Sequence, residues 1–168
     1  RDVLSPHELA EDLSFFLVHV PAREAAAGVS SRPAHSIFPR YHQSRMVRKV
    51  AEEALSHFVS TGNIGRKFLI DHSAGSGKTL SICWLADRIH GLYDTRSGAK
   101  LADMVFILTD RRSLDKNIRD EMENFTHLKD VVGIARKARE LVDFLKSHRP
   151  IIVTTQQKFA WILEKIER

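Results

Sequence analysis

Three short runs of consecutive apolar residues, at 68–70, 104–108 and 151–153, constrain this chain more than any other feature. A strand with one wet face alternates apolar and polar residues, whereas an unbroken apolar run fits a strand covered on both faces, as in a parallel sheet. Between the runs the spacing turns helical. Met46, Val47, Val50, Ala51, Ala54, Leu55 and Phe58 recur on one stripe, and similar patterns cover 78–90, 113–125 and 135–147 and continue from 157. Strand, loop and helix follow one another three times over. The pattern predicts an α/β fold, a parallel sheet with helices on both faces and strands at 67–71, 104–108 and 151–154.

The start of the chain reads differently. Ser5 can cap a helix, Pro6 suits its first position and Glu8 can complete a capping box, so a helix over 5–17 is expected. Residues 21–33 are rich in Ala, Gly, Ser and Pro without apolar periodicity and read as a linker or surface loop. The expected division is therefore 1–36 as an N-terminal helical segment and linker, and 37–168 as the α/β unit.

Composition narrows the function classes. Hydrophobic residues make up 43% and charged residues 28% of 168 residues, ordinary globular usage that argues against disorder. No uncharged apolar run nears the ~18 residues of a membrane span. One cysteine, Cys83, cannot form an internal disulfide, which points to an intracellular, reducing, cytoplasmic setting. The nine histidines are scattered, with no zinc-ligand spacing. The formal charge of +5 is compatible with a phosphate-rich partner without requiring one. The chain opens on Arg1 and not Met, so a longer parent is expected.

The loop after the first expected strand carries the chemistry: Asp71-His72-Ser73-Ala74-Gly75-Ser76-Gly77-Lys78-Thr79. The strict phosphate-loop pattern is G-x-x-x-x-G-K-[ST], and here His72 stands where the first glycine would be. Gly75 and Gly77 still let several backbone N–H groups, including that of Ser76, converge on one phosphate. The helix that follows presents its positive end to the same anion. Lys78 can reach the β- and γ-phosphates, and the Thr79 hydroxyl can ligate Mg²⁺, which makes these two the expected catalytic pair. His72 can either contact phosphate or pack within the loop. Cys83 and Trp84 read as core.

Gly75-Ser76-Gly77-Lys78-Thr79 after a non-glycine start resembles motif I of superfamily 2 helicases and translocases. Arg40-Tyr41-His42-Gln43, Thr109-Asp110-Arg111-Arg112-Ser113-Leu114-Asp115 and Thr154-Thr155-Gln156-Gln157-Lys158-Phe159 narrow the likeness. Together they resemble the motor (R) subunit of type I restriction endonucleases. The resemblance implies that 37–168 is the first part of a RecA-like helicase ATP-binding lobe. Gln43 would then read adenine, since a glutamine amide can pair with a base donor and acceptor at once. Thr109, Arg111, Arg112, Thr154, Thr155 and Lys158 would face nucleic acid, donating to phosphates without reading sequence. Asp115 reads as a brace for its loop. The implied cofactors are ATP and Mg²⁺. The implied partners are double-stranded DNA and the methyltransferase and specificity subunits of a restriction complex, with no membrane.

The family's acidic box, which orders Mg²⁺ and water, follows a strand downstream of the last motif. Asp120-Glu121-Met122-Glu123 does not replace it, because it falls within an expected helix. The 168-residue chain is thus expected to bind ATP weakly and to hydrolyse little, with translocation and DNA cleavage belonging to the parent. Two alternatives stay open: a small P-loop kinase with Asp110 ordering the metal, and a non-catalytic nucleotide- or DNA-binding module.

Overall fold

The computed structural model describes residues 5–22, 24, 31–110 and 112–166. Its centre is a three-stranded parallel sheet of β3 (Val105–Thr109), β5 (Ile151–Thr155) and β4 (Val132–Ile134), in the spatial order β3-β5-β4. Val105 pairs with Ile151 and Thr109 with Thr155, while Val132 also pairs with Ile151. Central β5 is buried along its whole length, as its unbroken apolar run requires. Its side chains alternate between two cores. Ile151 and Val153 enter one with Phe16, Trp84, Ile107, Ile118 and Phe125. Ile152 enters the other with Leu141 and Ile162, against Phe106, Phe144 and Phe159.

The first core is covered by α3 (Lys78–His90) and α4 (Arg112–Met122), and the second by α5 (Ala138–Lys146) and α6 (Gln156–Ile166). Helices lie on both faces, the layered α/β arrangement that the sequence predicts. Helix α2 (Tyr41–Thr61) packs beside α3 and ends at Gly62, whose φ of 68° makes a left-handed cap. No described helix is long and apolar enough to cross a membrane.

One expected strand does not form. Residues 67–71 form no regular element and have no ladder partner among the described residues, and Leu69 is 97% exposed. Apolar character did not suffice, because a strand needs a neighbour to satisfy its N–H and C=O groups. Strand β4, in contrast, was not expected. Gly133 interrupts its apolar pattern, yet a Cβ there would meet Phe144 at 2.9 Å, so the glycine is what lets α5 close on the sheet. The helix expected from 135 starts at Ala138 instead, because the Ala135 N–H continues the ladder to the Val153 carbonyl.

The N-terminal segment comprises α1 (Pro6–Glu11), a π-helical turn over Asp12–Phe16 and β1 (Val18–Val20), which pairs antiparallel with β2 (His35–Ile37). Ser5 caps α1 by accepting the Glu8 N–H at 3.2 Å. The helix is shorter than expected: its α-geometry stops at Glu11 and a π turn continues. This segment is not set apart from the α/β unit, since Phe16, Val18 and Val20 belong to the first core. Phe16 meets the Trp84 ring edge-on, with centroids 5.8 Å apart.

Candidate functional site

The loop that leads into α3 is shaped by its two glycines. Gly75 and Gly77 take φ values of 73° and 81°, in the left-handed region closed to most side chains. Between them the chain reverses and buries Ser76, whose hydroxyl oxygen has no hydrogen-bond partner. A buried polar atom without a partner is costly, and this oxygen lies beside the N-terminus of α3, closed to solvent while the loop keeps this shape.

Lys78 is exposed, and its Nζ donates to the carbonyls of His72 at 3.0 Å and Ser73 at 2.7 Å. The ammonium thus spans the loop and holds it in a curl. Thr79 follows in the first turn of α3, half-buried. The residues present fit a phosphate with a metal on its flank. The loop offers one ammonium and hydroxyls, while the Ser76 N–H, expected to face a phosphate, is taken by the Ser73 carbonyl at 3.3 Å; among the described residues no cluster of three His, Cys, Asp or Glu forms a metal site of its own.

Helix α2 delivers a second set of groups to the loop. Gln43 is 3% exposed; its Nε2 donates to the Gly77 carbonyl at 3.0 Å and its Oε1 accepts the Arg40 N–H at 2.8 Å. A primary amide has two donors and two acceptor positions, so one of each is left. His42 Nε2 stands 3.1 Å from the Ser76 carbonyl oxygen, which can only accept, so this nitrogen carries the proton. The His42 and His72 rings meet edge-on at 5.2 Å, which places His72 in loop packing. A cleft of about 490 Å³ opens alongside, between Tyr41, Arg45 and Lys49 of α2 and Phe68, Leu69 and Ile70 of the segment 67–71.

The family model for SWI2/SNF2 ATPases matches residues 42–168, from His42 through the loop to the end of the chain. The chain belongs to the SWI2/SNF2 ATPase family. Over 86 residues it is also 31% identical to a protein of Methanocaldococcus jannaschii named "Putative type I restriction enzyme MjaVIIIP endonuclease subunit". That match covers 51% of this chain and 8% of the relative, so the chain spans a small part of the relative's length. No solved structure matches the chain.

Membership in an ATPase family implies nucleotide use. The residues expected to face nucleic acid are placed less uniformly. Thr109 and Thr155 are buried at the ends of β3 and β5, and the Thr109 hydroxyl donates to the Thr154 carbonyl at 3.5 Å. Thr154 is 0% exposed, which takes its hydroxyl out of reach of a phosphate in this arrangement. Lys158, on the first turn of α6, donates to the Ala135 carbonyl at 3.0 Å. The side chains of Arg111, Arg112 and Asp115 lie outside the described residues.

Sequence reasoning missed His42 as a loop-holding group and missed Gln43's tie to Gly77. The signal was available. A glutamine at the third position of a helix that begins on an aromatic residue, with a histidine beside it, offers two side chains aimed past the helix end. Burial pushes the Cys83 thiol well above its ordinary range, so it stays neutral and inert within the first core.

Proposed function

We propose that the chain binds ATP at 75–79 and forms part of the ATP-dependent motor of a type I restriction enzyme. The observation that carries this reading is the pairing of a glycine-bent loop around a partnerless Ser76 hydroxyl with Gln43, held against Gly77 with one donor and one acceptor unused. Lys78 would leave the His72 and Ser73 carbonyls for the β- and γ-phosphates, the stronger charge-assisted partners. Thr79 would hold Mg²⁺ through its hydroxyl, and the metal would neutralise phosphate charge. Gln43 would read the adenine edge.

In the longer protein the ends of β3 and β5 would face duplex DNA, with Arg111, Arg112 and Lys158 donating to phosphates. Thr109 and Thr155 would be reached only if the strand ends open. Methyltransferase and specificity subunits would supply modification and site choice. Nucleotide binding is assigned to this chain, and turnover, translocation and cleavage to the parent. Membership in an ATPase family favours this reading over a metabolite kinase ordered by Asp110.

Calorimetric titration of Mg-ATP into the chain and its Lys78→Ala variant tests the reading. Loss of a charge-assisted contact predicts an affinity drop of roughly 10- to 100-fold. Equal affinities would defeat it.

A further inference from the structure

Helices α2 and α3 are pinned together twice. One pin is the Gln43 and His42 contact with the loop carbonyls. The other lies away from the loop and is made by the N-terminal segment. Arg48 of α2 donates through Nε to Glu11 Oε2 at 2.9 Å and through Nη2 to Asp12 Oδ1 at 2.6 Å. Arg88 of α3 donates to the other oxygen of the same carboxylate, Glu11 Oε1, at 3.2 Å. One carboxylate therefore joins the two helices.

The contact is built and not incidental. Arg48 and Asp12 side chains are each 14% exposed and Glu11 24% exposed, so the ion pairs are partly shielded from water. The Arg48 guanidinium also lies over the Phe16 ring at 5.4 Å, and that of Arg88 over Phe15 at 4.9 Å. Phe15 and Phe16 themselves meet edge-on at 4.9 Å. The N-terminal segment grips one arginine from each helix with the same two elements, an acidic turn and an aromatic pair.

Val47 of α2 and Trp84 of α3 already share the first core, and apolar packing of that kind is non-directional; the polar joint adds a directional constraint on the rotation of one helix against the other. Arg48 lies five residues beyond Gln43, roughly 7 Å along the helix axis, so a small pivot of α2 is felt directly at the glutamine. We propose that Glu11 is a positioning residue for base recognition: by clasping Arg48 and Arg88 it sets how α2 presents Gln43 beside the phosphate loop. The proposal rests on the nucleotide reading above, and it makes docking of the N-terminal segment a determinant of nucleotide selectivity.

The test uses the full chain and the Glu11→Gln variant, which replaces one acceptor oxygen by a donor and so can hold only one arginine. In nucleotide-free protein, the Gln43 side-chain amide resonances and the backbone amides of Ser76 and Gly77 are expected to shift. With nucleotide, ATP affinity should fall about fivefold, the loss of an ordinary hydrogen bond, while inorganic tripolyphosphate affinity is unchanged. In a Gln43→Ala background, Glu11→Gln should then cost nothing further in ATP affinity. Arg88→Gln, at a side chain already one-third exposed, should move the same resonances in the same direction and covers the case in which the first variant does not fold.

Unmoved amides in the folded variants overturn the proposal. So does an equal loss of ATP and tripolyphosphate binding, the signature of a merely structural role. Failure of the unmodified chain to bind ATP would defeat the functional reading alone, since the nucleotide-free spectra still judge the clasp.

Discussion

The segment 67–71 and strand β3 are nearly matched in sequence and opposite in fate. Both place apolar residues consecutively, Phe68-Leu69-Ile70 in one and Val105-Phe106-Ile107-Leu108 in the other. β3 finds β5 alongside and buries Ile107, whereas 67–71 leaves Leu69 in water. A strand is thus a property of a pair, and intrinsic preference yields to the presence of a neighbour. The contrast extends outward. The sheet side is held by apolar burial, while the loop side is held by polar side chains bonded to main-chain carbonyls: His42, Gln43 and Lys78. Binding loops belong to the less deeply packed part of a protein, because a ligand must be able to displace what holds them.

The largest effect that sharpens this contrast comes from truncating one apolar residue on each side. Ile152→Ala removes a fully buried side chain between two helices and should cost about 2–5 kcal/mol of unfolding free energy. Leu69→Ala should fall within about 0.5 kcal/mol of the parent chain. Urea denaturation of both variants measures the difference. A comparable loss at Leu69 would break the contrast, showing that 67–71 has a packing partner in solution.

What the sequence disclosed follows the same division. Helix α2, its glycine cap and the covered strands β3 and β5 were legible because local pattern and tertiary surroundings agree there. The loop was legible because Gly75, Gly77, Lys78 and Thr79 meet a chemical requirement that does not depend on distant residues. The failures were all non-local. The unpaired state of 67–71, the register that makes 132–134 a strand despite Gly133, and the docking of Phe16 on Trp84 each depend on residues far along the chain. Gln43 was read for a base it could bind, and its tie to Gly77, 34 residues away, could not be read from spacing.

A middle-sized effect probes the loop side itself. At Gly77 a Cβ would stand 2.6 Å from Gln43 Nε2, and φ is 81°. Gly77→Ala therefore meets both backbone strain of about 1–2 kcal/mol and displacement of the glutamine. Destabilisation of that order, accompanied by a shift of the Gln43 amide resonances, is expected in a combined urea and NMR measurement. Gly75→Ala supplies the control, because it has similar φ but nothing within 4 Å of the added carbon. If the two variants are indistinguishable, strain alone accounts for the effect and the glutamine contact carries no weight.

The smallest effect is a pair of pH dependences with opposite signs, one from the start of α5 and one from the N-terminal clasp. Glu140 accepts the N–H groups of Lys137 and Arg136 at the start of α5, which holds its carboxyl below the ordinary carboxylate range. Its contribution is present above the ordinary value and is lost as pH falls through the lowered one. Asp12, in the N-terminal clasp, is raised instead: burial outweighs the facing Arg48 guanidinium. A raised carboxyl contributes below its ordinary value and loses that contribution as pH rises through the folded one. Across an acid-to-neutral series, Glu140→Gln should therefore lose stability relative to the parent as pH rises, while Asp12→Asn should gain. Urea midpoints from about pH 3 to pH 7, spanning the ordinary carboxylate values near 4, measure both slopes. If the Asp12 slope matches that of Glu140, the attraction of Arg48 exceeds the burial cost. The clasp would then act as an ordinary stabilising ion pair.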